Sequence, residues 1–534
     1  MPKLKGFFKK TTLLLILILI LAAGLRLWHL DKIPPGFNQD EAYSGYEAYS
    51  LLKTGKSQWG NSWPIHFLGY GSGENVTLAY LAIPSIALLG LNEFSIRLPV
   101  AILGILTVFI TYLLVKELFN KNVALLSSFF LAICPWHLYN SRIAFNANLL
   151  PFLYTLSLLF LLKGIKGNKK FLVLSAIPFG ISFYTYALSF CWIPLVLLSI
   201  FIIFRKKIIL CKKEIIISLL LLLIISSPII LFYLKNQFHL ININKILIFS
   251  LSTLTVPHFN QVTVFNTSQP FFYAIRSYSS HFSFSFLFFN SRILSIRGFG
   301  LLYLFQLPLI LIGLFYCIKT SRKPSSQFLI IWLITFPIPV SFTTFDIPHP
   351  LRTINALPLF SILTALGIFY LFKKIKGTSN LSIKRALFIT LSLFLIATPL
   401  NIGLFLHKYF RIPLSHDLVY MQYGIKESIE CIKNIQTKYD KIVITDKINQ
   451  PYIYVLFFTK YDPIRFQSEN VKKITTLGGW TGVKAFNKYI FTDIEKYPPS
   501  KNSLYLGGTN ELINKEIKKN IYYPNGKVVF KIAE

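Results

Sequence analysis

Acid is scarce in this chain. Asp and Glu together number 21 among 534 residues, against 55 Lys and Arg, giving a formal net charge of +34 at pH 7. Cysteine is scarcer still: the five are Cys134, Cys191, Cys211, Cys317 and Cys431, with no CxxC pair among them. That spacing argues against a disulfide framework and against a zinc site. No glycine-rich Rossmann or P-loop fingerprint is present, so nothing points to a bound nucleotide. The excess positive charge comes without any soluble basic module, which argues against nucleic acid as a partner.

Apolar residues are plentiful. They make up 54% of the chain, aromatics 16%, and mean hydropathy is +0.56. Apolar runs of membrane-spanning length recur through the first ~400 residues. Lysines cluster in the short loops between them, as expected for loops held on the cytoplasmic side. The run Thr11 to Leu27 follows a lysine-rich start and is not followed by a small-residue cleavage site, so it reads as a retained first span. Spans are expected at 11–29, 97–117, 122–138, 148–163, twice within 171–204, and at 214–234, 299–318, 326–342, 353–372 and 386–406. The run Val76 to Leu91 is short and contains Pro84; laid along the outer interface, it keeps every strongly basic short loop on one side.

The expected fold is a polytopic α-helical membrane protein with about eleven transmembrane helices. Its membrane domain covers 1–407, with interfacial helices in a first outer loop at 30–95 and a long outer loop at 235–297. The N-terminus is expected in the cytoplasm. From 408 to 534 the composition turns soluble. Asp417 to Lys438 has helical periodicity, Lys441 to Asp446 reads as a strand, and Tyr522 to Phe530 reads as a hairpin turning at Asn525-Gly526 in type I′ geometry. A small extracytoplasmic α/β domain is the expectation there.

Because acids are few and ionisable groups near a bilayer are costly, their positions are informative. The outer face collects Asp40/Glu41, His66/Glu74, Ser141-Arg142 and Asp346/His349/Arg352. A carboxylate can take the proton of an acceptor hydroxyl. Arginines can hold a phosphate bidentately and stabilise charge on a leaving group. Blander roles compete at each position. Asp40 and Glu41 suit a helix N-terminus, and Arg142 and Arg352 could be snorkelling anchors. His349 could be a plain loop residue, His66 structural, and Glu74 a helix cap.

The order of motifs carries a resemblance. A first span leads to outer Asn38-Gln39-Asp40-Glu41-Ala42-Tyr43-Ser44-Gly45-Tyr46, then a prolyl helix, then Arg97-Leu98-Pro99 opening the next span, then Pro135-Trp136-His137 with Ser141-Arg142. This resembles the GT-C glycosyltransferases of the protein O-mannosyltransferase and lipid A aminoarabinose transferase type. The likeness is clear over about 1–200 and is supported by Asp346 to Pro358. It implies a catalytic acid at Asp40 with Glu41 beside it, and a polyprenyl-phosphate-linked sugar as donor. Two positions depart from the pattern: Asn146 and Ser285 stand where relatives often carry acids.

The function expected from these residues is a membrane glycosyltransferase at the outer face of the plasma membrane. Asp40, with Glu41, would deprotonate a hydroxyl on a protein, lipid or glycan acceptor. Arg142, His349 and Arg352 would bind the donor phosphate, and Tyr46, His66, Glu74, Asn146 and Asp346 would line the substrate site. No cofactor is indicated with certainty; a divalent cation at the outer acids stays open, without a complete ligand set. The competing readings are a lipid-linked sugar flippase, which would place its charges at mid-membrane in repeated halves, and an inactive membrane scaffold.

Overall fold

The computed structural model of the chain describes residues 2–69, 73–254, 263–289, 298–344, 346–411, 415–475, 481–498, 500–512 and 515–534. Among the described residues, ten α-helices lie between 2 and 236: α1 (Pro2–Leu27), α2 (Gln39–Thr54), α3 (Thr77–Leu89), α4 (Glu93–Leu118), α5 (Lys121–Ile133), α6 (Pro135–Asn140), α7 (Leu150–Ile165), α8 (Lys170–Thr185), α9 (Ser189–Ile208) and α10 (Lys212–Asn236). Among the described residues, seven helical segments are long and apolar enough to cross a membrane. They are Lys10–Leu27, Glu93–Leu118, Asn146–Ile165, Ser189–Asn236, Pro324–Ser341, Ile354–Gly377 and Leu381–Arg411. Ser189–Asn236 is 48 residues long and contains both α9 and α10, with Arg205 to Lys213 between their apolar parts. Thr77–Leu89, Lys121–Ile133, Lys170–Thr185 and Gln306–Lys319 are shorter apolar helices.

This is a multi-pass membrane protein. Its outside confirms the solvent it is built for: Ile216, Leu219, Leu220, Leu223 and Ile224 on α10 stand exposed, as do Phe388, Ile389, Leu393, Ile396 and Leu400 on Leu381–Arg411. Apolar faces of that extent belong in lipid rather than water. Inside, helices approach through small residues, as packing in a bilayer favours. A Cβ on Gly313 would meet the Leu363 carbonyl oxygen at 2.0 Å, and one on Gly367 would meet the Leu309 oxygen at 2.1 Å. Helices Gln306–Lys319 and Leu359–Gly377 therefore touch backbone to backbone.

The segment after α10 is tied to the loop between α2 and α3. Its short hairpin of β1 (Lys245–Ile246) and β2 (Phe249–Ser250) exchanges main-chain bonds with the first loop, Ile65 N–H to Ser250 O at 3.2 Å and Ser250 N–H to Ser62 O at 3.1 Å.

The C-terminal part is a sheet domain, as its composition suggests. The strands are β3 (Lys441–Thr445), β4 (Lys472–Thr475), β5 (Thr481–Phe486), β6 (Tyr489–Thr492), β7 (Ser503–Gly508), β8 (Ile517–Tyr522) and β9 (Val528–Ala533), in the order β4-β5-β6-β3-β7-β9-β8. β3 runs parallel to β6 and β7, and the other pairs are antiparallel. The expected strand is β3 and the expected hairpin is β8–β9, but the turn differs. Gly526 alone in it has positive φ, at +80°, and its N–H donates to Tyr523 O at 2.9 Å. Pro524 thus opens a type I turn closed by a left-handed glycine, rather than the type I′ turn that Asn-Gly suggests. The expected boundary between 407 and 408 falls inside Leu381–Arg411, so the last apolar helix runs on past it.

This domain is clamped to α2. Phe37 N–H donates to Met421 O at 2.5 Å, and the Tyr46 hydroxyl donates to Tyr461 O at 3.0 Å. Gln467 Nε2 donates to Ser50 Oγ, Thr54 Oγ1 and Ser57 O. Gly45 makes the close approach: a Cβ there would meet Phe457 Cε2 at 2.5 Å.

Candidate active site

The site begins at the first turn of α2. Asn38 is the N-cap, and its side-chain oxygen accepts the Asp40 N–H at 3.0 Å. Glu41 sits three residues on and reaches back to accept the Asn38 N–H at 3.2 Å, a capping box. The same box fixes what each acid can do. Glu41 is fully buried, and both of its oxygens are engaged. Oε1 takes Arg97 Nε at 2.8 Å and Ala144 N–H at 2.9 Å; Oε2 takes an Arg97 terminal nitrogen at 3.0 Å as well as Asn38 N–H. Arg97 also donates to Leu30, Pro34 and Gly36 carbonyls. Glu41 is thus the anchor that locks helix, loop and span together, not a second base.

Asp40 is different. It is half-buried, and among the described residues its carboxyl has no hydrogen-bond donor assigned to it. Burial, then the neighbouring Glu41, raises its pKa to about 6. Glu74 lies close enough that Asp40 acts on it electrostatically: burial first, then Asp40, holds the Glu74 carboxyl well above the usual range. The two carboxyls therefore share one electrostatic neighbourhood. Among the described residues, no group of three His, Cys, Asp or Glu forms a metal-ligand set.

Arg352 joins them through Tyr186, whose hydroxyl accepts a hydrogen bond from it and feels both Asp40 and Glu74. Arg352 also donates to Thr343 Oγ1 at 3.2 Å. His349 lies beside it, with Nε2 at 3.8 Å from Asp346 Oδ2 and Nδ1 accepting the Leu351 N–H at 3.2 Å. His281 completes this side. Its Nδ1 bonds Ser277 O at 2.7 Å and its Nε2 accepts the His349 N–H at 3.1 Å, which fits one neutral tautomer. Burial, with Arg352 nearby, lowers its pKa to about 4. Tyr420 and Tyr454 enter from the C-terminal domain, both within electrostatic reach of Asp40.

The structure thus brings Asp40, Glu74, Asp346, His349 and Arg352 to one region. It gives four other expected residues different work. Arg142 is buried and donates to Leu25 O at 2.7 Å, Trp28 O at 2.7 Å, Ile33 O at 2.9 Å and His29 O at 3.2 Å. It satisfies the carbonyls that the end of a helix leaves without partners, so it fastens α1 instead of holding phosphate. Tyr46 tethers the C-terminal domain. His66 bonds the Glu74 carbonyl through Nδ1 and packs on Phe232, and burial lowers its pKa to about 4. Asn146 accepts the Leu78 N–H at 2.9 Å and donates to Asn75 O at 3.0 Å. It supplies the cap of α3 that the sequence suggested for Glu74, and an acid could not make the second bond. Ser285 lies within the short helix Phe284–Phe288. Tyr186, His281, Tyr420 and Tyr454 were not singled out as site residues by sequence.

Residues 76–232 match the sequence model of a family described as dolichyl-phosphate-mannose-protein mannosyltransferase. No curated protein sequence matches. A solved structure of ArnT from Cupriavidus metallidurans bound to undecaprenyl phosphate aligns over 99% of this chain and 98% of its own, with TM-score 0.56 and 12% identity. The chain has the GT-C fold. The Archaeoglobus fulgidus oligosaccharyltransferase in its apo form shares that GT-C fold at TM-score 0.51 and 14% identity, over 84% of this chain. The same archaeal enzyme, AglB, was solved with an inhibitory peptide and a dolichol-phosphate, again at TM-score 0.51 and 14% identity, over 84% of this chain. This chain spans 63% and 64% of those two archaeal chains, less than two thirds of their length.

Proposed function

We propose that the chain is a membrane glycosyltransferase that moves a sugar from a polyprenyl-phosphate donor to an acceptor hydroxyl at the outer face of the plasma membrane. The observation that carries this is Asp40: a half-buried carboxyl, raised to about 6, beside Glu74 and opposite the Tyr186–Arg352 pair. A base whose pKa lies near working pH combines correct ionisation with useful proton affinity. The acceptor O–H gives its proton to Asp40, and its oxygen forms a bond to the anomeric carbon. The bond from that carbon to the phosphate oxygen breaks, and its electron pair leaves on the polyprenyl phosphate. Arg352, with the His281–His349 pair beside it, holds that phosphate and steadies its growing charge. In-line attack of this kind inverts the anomeric centre. Asp40 and Glu74 are the residues that would hold a divalent cation. The N-terminus is cytoplasmic in this reading, the C-terminal domain is outside, and about eleven helices cross.

The undecaprenyl phosphate on the Cupriavidus protein and the dolichol-phosphate on the archaeal one support the donor class. The peptide on the archaeal protein makes protein the first acceptor to test. The test follows radiolabelled sugar from a polyprenyl-phosphate pool into protein, lipid and glycan fractions of membranes carrying the chain or its Asp40→Asn variant at equal abundance. Loss of transfer in Asp40→Asn is the expected result, and the labelled fraction names the acceptor. Equal transfer by both would overturn the assignment of Asp40 as base.

A further inference from the structure

The C-terminal domain does more than cover α2. Helix Pro451–Thr459 lies against α2, with Phe457 on Gly45 and on the Phe37 ring at 4.7 Å between centroids. Asn38, the residue that caps α2, donates from its side chain to Tyr420 O at 3.1 Å. Tyr454 stands on that helix, fully buried, and among the described residues its hydroxyl has no hydrogen-bond partner. Buried tyrosine hydroxyls normally find one. The ionisable groups acting on Tyr454 are Asp40, Glu41 and Tyr420. Glu41 is already saturated by Arg97, Ala144 and Asn38.

We propose that the Tyr454 hydroxyl is the positioning donor for the ionised Asp40 carboxylate, so that the C-terminal domain completes the active site. This rests on the reading of Asp40 as base. The groups facing Asp40 are Glu41 on its own helix, Glu74 from the loop before α3, Tyr186 after α8 and bonded to Arg352, and Tyr420 and Tyr454 from the C-terminal domain. The carboxyls oppose a charge on Asp40, and Arg97 is committed to Glu41. A donor that swings onto the carboxylate favours the charged form and fixes which oxygen meets the acceptor.

Dicyclohexylcarbodiimide, which modifies protonated carboxyls in apolar surroundings, reads this without any substrate. The full chain in detergent is labelled across pH 4 to 9 and modification at Asp40 is quantified by mass spectrometry, with Asp40→Asn identifying the labelled peptide. A hydrogen bond to a charged group is equivalent to about one pH unit or more, roughly tenfold in proton affinity. In Tyr454→Phe the pH of half-labelling should therefore rise by about one unit, and the melting temperature should fall only above that pH, where Asp40 is ionised, and stay unchanged below it. An unmoved half-labelling pH would overturn the proposal, as would an equal rise in Tyr420→Phe. Sugar transfer that survives Asp40→Asn would instead remove the base reading and leave the labelling result standing.

Discussion

The sharpest division in the site lies between two adjacent acids, and the ion pair beneath one of them tests it. Arg97 and Glu41 are both fully buried, and they meet through two short bonds, 2.8 and 3.0 Å. Arg97 makes three further bonds to loop carbonyls, and Glu41 makes two to main-chain N–H groups. Removing one charge strands the other in a site that water does not reach, which costs about 3–5 kcal/mol. Arg97→Met should therefore destabilise the chain by about that amount, and Glu41→Gln by less, since the amide keeps some of the bonds. Combining Arg97→Met with Glu41→Leu removes both charges, so the double variant should be more stable than the sum of the single losses predicts, with a coupling energy of about 2–3 kcal/mol. The assay is unfolding in detergent micelles, followed by sugar transfer per folded molecule. Glu41→Gln should lose stability and keep activity per folded molecule. A Glu41→Gln variant with a wild-type melt and no transfer would refute this division and restore Glu41 to catalysis.

Three further outcomes follow from the same structure. Glu47 is buried and its pKa is raised to about 8 by burial, so the native state holds its proton longer than the unfolded chain does. Stability should then fall as pH rises from about 4.5 to 8 and level off above, and Glu47→Gln should flatten that slope in a pH series of melts. Gly45→Ala drives a Cβ into Phe457, so it should loosen the C-terminal domain and speed proteolytic cutting between 411 and 425 while leaving the membrane helices intact. Arg142→Leu should lower folded yield and melting temperature rather than raise the KM for the donor, because its bonds are to α1 and the following loop; Arg352→Gln should do the reverse.

Much of the architecture could be read from local pattern. Apolar runs located the long apolar helices, and the soluble composition after 408 located the sheet domain. The capping box around Asn38 and Glu41 is also a sequence-visible signal. Partner choice was not visible. Asp40 and Glu41 look alike as neighbours in a sequence, and they part company only because α4 brings Arg97 and the loop before α7 brings the Ala144 N–H to one of them. Arg142 has the sequence context of a phosphate ligand, yet the end of α1 reaches it first. Nothing near Tyr454 marks it, since the chain has 28 tyrosines and the contact depends on how the last domain folds back over the first loop.

That folding back changes what an arginine count means here. Arg97 and Arg142 are turned inward to hold carbonyls and a carboxylate that would otherwise lie unpaired where the first loop meets the membrane helices. Cation charge beside the first loop is therefore used first for shape, and of the arginines expected to bind phosphate only Arg352 joins Asp40 and Glu74, through Tyr186. In the proposed reading a single arginine, with imidazole and hydroxyl neighbours, holds the phosphate. In that reading the product is a lipid phosphate, and one arginine holds it less tightly than two would, which favours its release. In the proposed reading the acid is more exacting than the clamp: Asp40 must ionise near two other carboxyls, Glu41 and Glu74, and the chain folds its last domain against α2 beside that charge.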